Sequence, residues 1–183
     1  DLPITDNCPG FGSVAKYIAI STYEASLDVA SMANSSTKVF LLEVMGRHAG
    51  WLAASAGVIR DSISMPPHLI LLPEVVFNEK KFLLKVKKTV KEYGYCVVVA
   101  SEGIKNKNNK FIAASSTKDS FGHAHLGGVA PKLANIITTK LSYKVHWAVS
   151  DYLQRAARHV GSSVDVKQAY MVGYKALEYA KKG

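Results

Sequence analysis

The chain has 183 residues, enough for one domain with a real core or one domain plus part of another. Lys+Arg total 23 against 14 Asp+Glu, giving a net charge of +9; with 48% hydrophobic and 20% charged residues, a disordered or collagen-like chain is excluded. No uninterrupted apolar run approaches the ~20 residues that a membrane helix needs.

The two cysteines, Cys8 and Cys96, sit in no metal-ligand spacing. Cys96 lies inside an apolar run and reads as a buried free thiol. The chain is no disulfide scaffold, and a reducing cytoplasm fits it. Asp1-Leu2-Pro3 offers no initiator Met, no basic leader and no apolar leader segment, and the chain stops at Gly183 just after a helical pattern. Both ends read as cuts from a longer protein. The basic balance allows an anionic partner. Lys80, Lys81, Lys85, Lys87, Lys88 and Lys91 fall on one segment and Lys105, Lys107 and Lys110 on another. A solvated helix face and a polar loop account for them better than a nucleic-acid groove.

In chain order, residues 13–31 carry apolar Val14, Tyr17, Ile18 and Ala25 at helical spacing, with Ser13 as a candidate cap. Residues 39–44 read as a strand, 49–59 as a small-residue helix and 68–72 as a second strand ended by Pro73. Residues 78–93 form an amphipathic helix with Phe82, Val86, Val90 and Tyr93 on one face, ended by Gly94. Residues 95–101 are a third strand. Residues 105–117 are a polar excursion that fits a hairpin or a lid. Pro131 stands in the first turn of a helix continued by Leu133, Ile136, Ile137 and Leu141. Residues 143–150 are a fourth strand. Residues 165–182 are a last helix, with Ala169, Val172, Ala176, Leu177 and Ala180 turned inward. Strands alternating with long helices imply parallel crossovers, hence an α/β layered sheet.

Ligands gather beyond the carboxyl ends of the strands in such sheets. The residues after the four strands are Met45-Gly46-Arg47, Pro73-Glu74, Glu102-Gly103 and Asp151-Tyr152-Leu153-Gln154-Arg155. Arginine forks suit phosphate, helix N-termini add amide donors, and a carboxylate such as Glu102 suits sugar hydroxyls. Together they point to a phosphosugar. There is no P-loop, no dinucleotide fingerprint and no zinc spacing. His123 and His125 are two apart and lack further ligands. His146 alternates within a strand.

The run Glu43-Val44-Met45-Gly46-Arg47-His48-Ala49-Gly50-Trp51 resembles the Met-Gly-Arg motif of the 6-phosphofructokinase family, in the form of its pyrophosphate-using and mixed-donor branches. Asp1-Leu2-Pro3-Ile4-Thr5-Asp6 resembles the tail of its Thr-Ile-Asp-Asn-Asp motif together with the residues just after that motif. Pro9-Gly10-Phe11-Gly12-Ser13 continues the match, and Tyr152-Leu153-Gln154-Arg155 resembles its second sugar-phosphate segment.

The resemblance implies phosphoryl transfer to the 1-hydroxyl of fructose 6-phosphate, from pyrophosphate or alternatively ATP, with Mg²⁺. Met45, Gly46 and Arg47 would hold the sugar, Arg47 near the transferring group. Glu102 would accept from sugar hydroxyls. Tyr152, Leu153, Gln154 and Arg155 would form the 6-phosphate segment, with Tyr152 standing where other branches have His. Asp1 would match the last Asp of the catalytic motif, near the metal. Lys38 and His146 fall where some members reach across a subunit interface with arginines; neither offers a bidentate fork. A cytoplasmic homo-oligomer, dimer or tetramer, is implied, with no nucleic-acid or membrane partner. The general base would precede Asp1, and so would the donor loop, so the isolated segment is expected to be inactive. Residues 1–10 would be motif tail and linker, 11–153 the sugar-binding domain, and 154–183 a helical return to the donor domain. That last helix would expose its apolar face in isolation, with poor solubility as the consequence. Two other readings stay open: a non-catalytic phosphosugar-binding or regulatory relative, and a basic nucleic-acid-binding domain with steeply salt-dependent affinity.

Overall fold

The computed structural model describes residues 8–118 and 124–183. The opening run from Asp1 and His123 therefore lie outside the described residues. Helix α1 (Phe11–Met32) leads into strand β1 (Val39–Val44), then α2 (Trp51–Ser55) with a 3-10 turn (Ala56–Ile59). Next come β2 (Leu69–Leu71), α3 (Glu79–Tyr93), β3 (Cys96–Ser101) and β4 (Ala114–Lys118). The chain continues through β5 (Ala124–Leu126), α4 (Val129–Leu141), β6 (Val145–Val149), α5 (Leu153–Ala156) and α6 (Ser163–Ala180).

β2, β3, β1 and β6 lie side by side in that order, and every pairing is parallel. This is the layered α/β sheet that the alternation of elements implies. β1 pairs Val44 with Ser101 and Glu43 with Val149, so three strands end level. The polar excursion turns back on itself where Lys105 bridges Phe111 antiparallel, and its end, β4, pairs antiparallel with β5.

The core follows from the two-residue period of β1. Val39 and Leu41 pack with Phe82, Val86, Val90, Leu133 and Ile137 on the α3–α4 side. Leu42 and Val44 pack with Ile18, Ala53 and Ala56 on the α1–α2 side. A parallel sheet covered on both faces favours apolar residues on both, and β3 supplies them from Cys96 to Ala100. Cys96 is fully buried there, and burial pushes its thiol pKa up to about 12. The lysines of α3 face solvent opposite Phe82, Val86 and Val90. Asn78 caps that helix by accepting from Lys81 N–H at 3.0 Å, and Gly94 ends it at φ 85°.

Two expectations need correcting. Ser13 is not the cap of α1: Gly10 stands at that position with no side-chain bond. The N-terminal amides turn instead to Asp165, which accepts from Ser13 N–H and from Ser13 Oγ, each at 2.6 Å. Ser162 N–H then donates to Ser13 Oγ at 2.9 Å. Partial burial would raise the Asp165 pKa, but the bonds from Ser13, Gly10 and Gly12 outweigh it and hold the carboxyl below its ordinary value. A local sequence window cannot reveal a cap that comes from 152 residues away. Asp165→Ala is expected to cost about 1 kcal/mol, the ordinary worth of an N-cap. Urea denaturation of the two proteins side by side checks this.

The second correction concerns the inward set of α6, although the helix does stand exposed as expected for this segment in isolation. The inward set read from its period buries nothing: no residue of α6 is buried. Val166, Tyr170, Val172, Tyr174 and Leu177 are all more than half exposed or at half. Its apolar face has no sheet beneath it among the described residues.

Candidate functional site

The level ends of β1, β3 and β6 bring Met45, Glu102 and Ser150 into one row. Hydrogen bonds lock the row. Glu102 N–H donates to Val44 O and Ser150 N–H to Glu43 O, both at 2.9 Å. Gly46 N–H donates to Glu102 Oε1 at 3.2 Å, and Ser101 Oγ donates to Gly46 O. Met45 N–H donates to Gln154 Oε1 at 3.2 Å.

The turn after β1 is built on two glycines. Gly46 has φ 146°, and a methyl there would come within 2.7 Å of Ala49 O and Ser101 Oγ. A methyl on Gly103 would come within 2.1 Å of Arg47 O and 2.4 Å of Gly46 O. The Met45-Gly46-Arg47 and Glu102-Gly103 turns thus lie backbone to backbone, a contact that only glycine permits.

Three adjoining hollows open along this rim. Glu43, Met45, Glu102, Asp151, Tyr152 and Gln154 line one of about 300 Å³. Gly46, Arg47 and His48 face Cys8, Pro9 and Trp51 across a second of about 460 Å³. Arg155 and Arg158 face Pro9, Gly10 and Ser13 across a third of about 430 Å³. Gln154 borders the first and the third.

Met45, Gly46, Arg47, Glu102, Tyr152, Gln154 and Arg155 therefore gather on one rim. Their parts differ from the simple reading of them as ligands. Gln154 is 2% exposed, and both ends of its amide are engaged: Oε1 with Met45 N–H and Nε2 with Asp151 O at 2.8 Å. It ties the two turns together. Leu153 is 66% exposed and borders none of the three hollows. Tyr152 presents its ring under the Arg155 guanidinium, 5.4 Å from it, which stiffens a long cationic side chain beside the opening. Glu74 belongs elsewhere: it accepts from Gly50 N–H at 2.7 Å, just before α2.

Lys38 and His146 are not brought to this rim. Lys38 precedes β1, roughly 20 Å down the strand from Met45 at the usual rise per residue, and its ammonium donates to Ala33 O at the end of α1. His146 pairs with Phe40 in the same lower half of the sheet and is exposed on an edge strand. Asp1 lies outside the described residues. Among the described residues, no three His, Cys, Asp or Glu side chains converge as a metal site. Glu43 and Glu102 each accept from a backbone N–H group, and Asp151 lines the same hollow.

Glu43 carried no separate role on sequence grounds. It is 2% exposed, and Oε2 accepts from Ala130 N–H at 2.8 Å. Burial raises its pKa above the usual carboxylate value. The N–H groups of Ala130 and Gly128 oppose that rise, and the neighbouring Glu102 charge adds to it. A lone carboxylate in the strand Val-Phe-Leu-Leu-Glu-Val is the signal that could have singled it out.

The phosphofructokinase family model matches residues 1–180, nearly the whole chain. The chain belongs to the phosphofructokinase family. The chain is 59% identical over 183 residues to the pyrophosphate--fructose 6-phosphate 1-phosphotransferase of Halomonas elongata, covering all of the chain and 44% of that protein. It is 58% identical to the enzyme of the same name from Methylococcus capsulatus, with the same coverage. It superposes on the crystal structure of the pyrophosphate-dependent phosphofructokinase from Marinobacter aquaeolei with a TM-score of 0.83 and 56% identity, covering 100% of the chain and 42% of that structure. The chain thus spans less than half the length of these relatives.

Proposed function

We propose that this chain carries the sugar-phosphate half of an enzyme that moves a phosphoryl group from pyrophosphate to the 1-hydroxyl of fructose 6-phosphate. The 1-oxygen forms the new P–O bond, the bridging P–O bond of pyrophosphate breaks, and phosphate leaves with fructose 1,6-bisphosphate as the product. The observation that carries the reading is the locked rim, with Arg47 and Arg155 flanking a hollow that holds Glu102. Two cations suit the two ends of a bisphosphorylated sugar, and a carboxylate between them suits its hydroxyls. The names of the relatives at 58–59% identity support pyrophosphate over ATP as donor.

The proposed roles carry over the family resemblance onto this rim. The Met45–Gly46 backbone and Glu102 seat the sugar, Arg47 neutralises charge on the transferring group, and Arg155 with Tyr152 holds the 6-phosphate. Gln154 holds the two turns in register. Residues 1–10 are read as motif tail and linker, 11–153 as the sugar domain and 154–183 as the return to the donor domain, which would cover the apolar face of α6. Asp1 is read as a Mg²⁺ ligand beside the proton acceptor that precedes it in the family; the metal would draw charge from the phosphates. Lys38 and His146, at the far end of the sheet, would serve a neighbouring subunit's 6-phosphate. No described helix is long and apolar enough to cross a membrane.

The test is a coupled assay of the full-length protein with fructose 6-phosphate and either pyrophosphate or ATP. Turnover with pyrophosphate is expected. Turnover with ATP alone moves the donor assignment, and turnover with neither favours a sugar-binding relative. In the same assay Arg155→Ala is expected to raise KM for fructose 6-phosphate at least about tenfold, the worth of one charge-assisted contact to phosphate.

A further inference from the structure

Glu43 is the one charged residue of β1, a central strand with helices over both faces. An aliphatic side chain at this position would continue the core that Val39 and Leu41 begin on the α3–α4 face. A carboxyl here loses its hydration and must recover that cost through bonds. It recovers only part. Oε2 accepts from Ala130 N–H at 2.8 Å, while Oε1 is buried with no hydrogen-bond partner.

The placement gives the cost a purpose. Helix α4 starts from Gly128 at φ 86° with no side-chain cap from its own segment. The preceding Gly127, at φ 131°, would bring a methyl to 3.8 Å from Glu43 Oε1. Glu43 and Gly127 both line the hollow that holds Glu102, Asp151, Tyr152 and Gln154. The carboxyl thus stands between the strand that carries the Met45 turn and the helix start that closes the other wall. We propose that Glu43 is a positioning residue for the sugar: it fixes the first turn of α4 and the Gly127-Gly128 turn, and through them the depth of the hollow in front of Glu102. This role rests on the proposed binding of fructose 6-phosphate. It acts on sugar affinity and leaves the donor alone, because the carboxyl borders only the first of the three hollows.

Three variants of the full-length enzyme test it, assayed at a temperature where circular dichroism shows each folded. Glu43→Ala removes the acceptor for Ala130 N–H; its KM for fructose 6-phosphate is expected to rise about tenfold, with KM for pyrophosphate within about twofold. Glu43→Gln keeps an acceptor oxygen and is expected to stay within about threefold of wild type. Glu43→Asp keeps the charge but falls one methylene short; it is expected to behave as the alanine variant does and replaces it if that variant does not fold. A wild-type sugar KM in both short variants overturns the role. So does an equal rise in both KM values, or a glutamine variant as impaired as alanine. Hydrogen exchange of the Ala130 amide, measured without substrate, should be faster in the short variants than in wild type and Glu43→Gln. An unchanged exchange rate overturns the positioning contact itself. A wild-type enzyme that fails with fructose 6-phosphate while showing the expected exchange pattern sinks the functional reading instead.

Discussion

Gly103→Ala is expected to destabilise the chain by about 3 kcal/mol, at the upper end for one added carbon in a packed interior. The added methyl would stand 2.1 Å from Arg47 O, 2.4 Å from Gly46 O and 2.5 Å from the Arg47 carbonyl carbon. All three are backbone atoms, so no side chain can swing aside. The Met45–Arg47 turn is also held by Ser101 Oγ at Gly46 O and by Glu102 at Gly46 N–H. Moving the turn away from the methyl breaks both bonds. The damage therefore falls on the rim itself, and in the full-length protein a displacement near 1 Å is expected to lower phosphotransfer about 100-fold. Gly94→Ala is the control. It has φ 85° with nothing within 4 Å, so only the backbone penalty of about 1 kcal/mol applies. Urea denaturation of the three proteins decides the point: a Gly103→Ala midpoint level with that of Gly94→Ala removes the steric account.

The same contact explains what could be read in the sequence and what could not. The alternation of β-branched runs with amphipathic helices announced the parallel sheet, because each run must be apolar on both faces when helices cover both. Strand ends were legible too, since Pro73 and the Gly46 and Gly103 turns punctuate them. Those ends named Met45, Gly46, Arg47, Glu102, Tyr152 and Arg155, and the fold gathers all six on one rim. The division of labour was not legible. Gln154 looks like a ligand in a motif, yet it binds Met45 N–H from 109 residues away. Asp165 caps a helix at the other end of the chain. Both bonds join segments whose proximity is set by the sheet order, which local periodicity does not encode. The inward face assigned to α6 failed for a related reason. A helical period shows that an apolar face exists; it does not show which surface covers it. Lys38 and His146 come from one resemblance but sit on strands whose other ends form the rim, so they share a sheet with the site without sharing the site.

Acid is expected to weaken this fold through His68 well before most carboxylates titrate. His68 closes the lower edge of the sheet with a two-point pairing to Val97. Its N–H donates to Val97 O at 2.9 Å, and its Nδ1 accepts from Val97 N–H at 3.0 Å. The ring stacks on Tyr93 with centroids 5.4 Å apart and meets Tyr95 edge-on at 5.1 Å. Nδ1 can accept only while it carries no proton, so this bond requires the neutral imidazole. Burial lowers the His68 pKa to about 4, and the nearby Arg60 charge pushes the same way. An unfolded chain takes up that proton near pH 6.5. Above pH 6.5 both states are neutral and the contribution is fully present. Between pH 6.5 and 4 the unfolded chain binds a proton that the fold refuses, so stability falls as the pH falls. Below pH 4 both states are protonated and the loss levels off. Allowing for partial solvent screening, the loss over this window is about 2 kcal/mol. His68→Asn separates this group from the other histidines: an Asn side-chain oxygen can stand where Nδ1 stands and accept from Val97 N–H without titrating. Denaturation midpoints at pH 7 and pH 4.5 should therefore fall further apart in wild type than in His68→Asn. Equal pH dependence in the two proteins would remove His68 as the acid-labile contact.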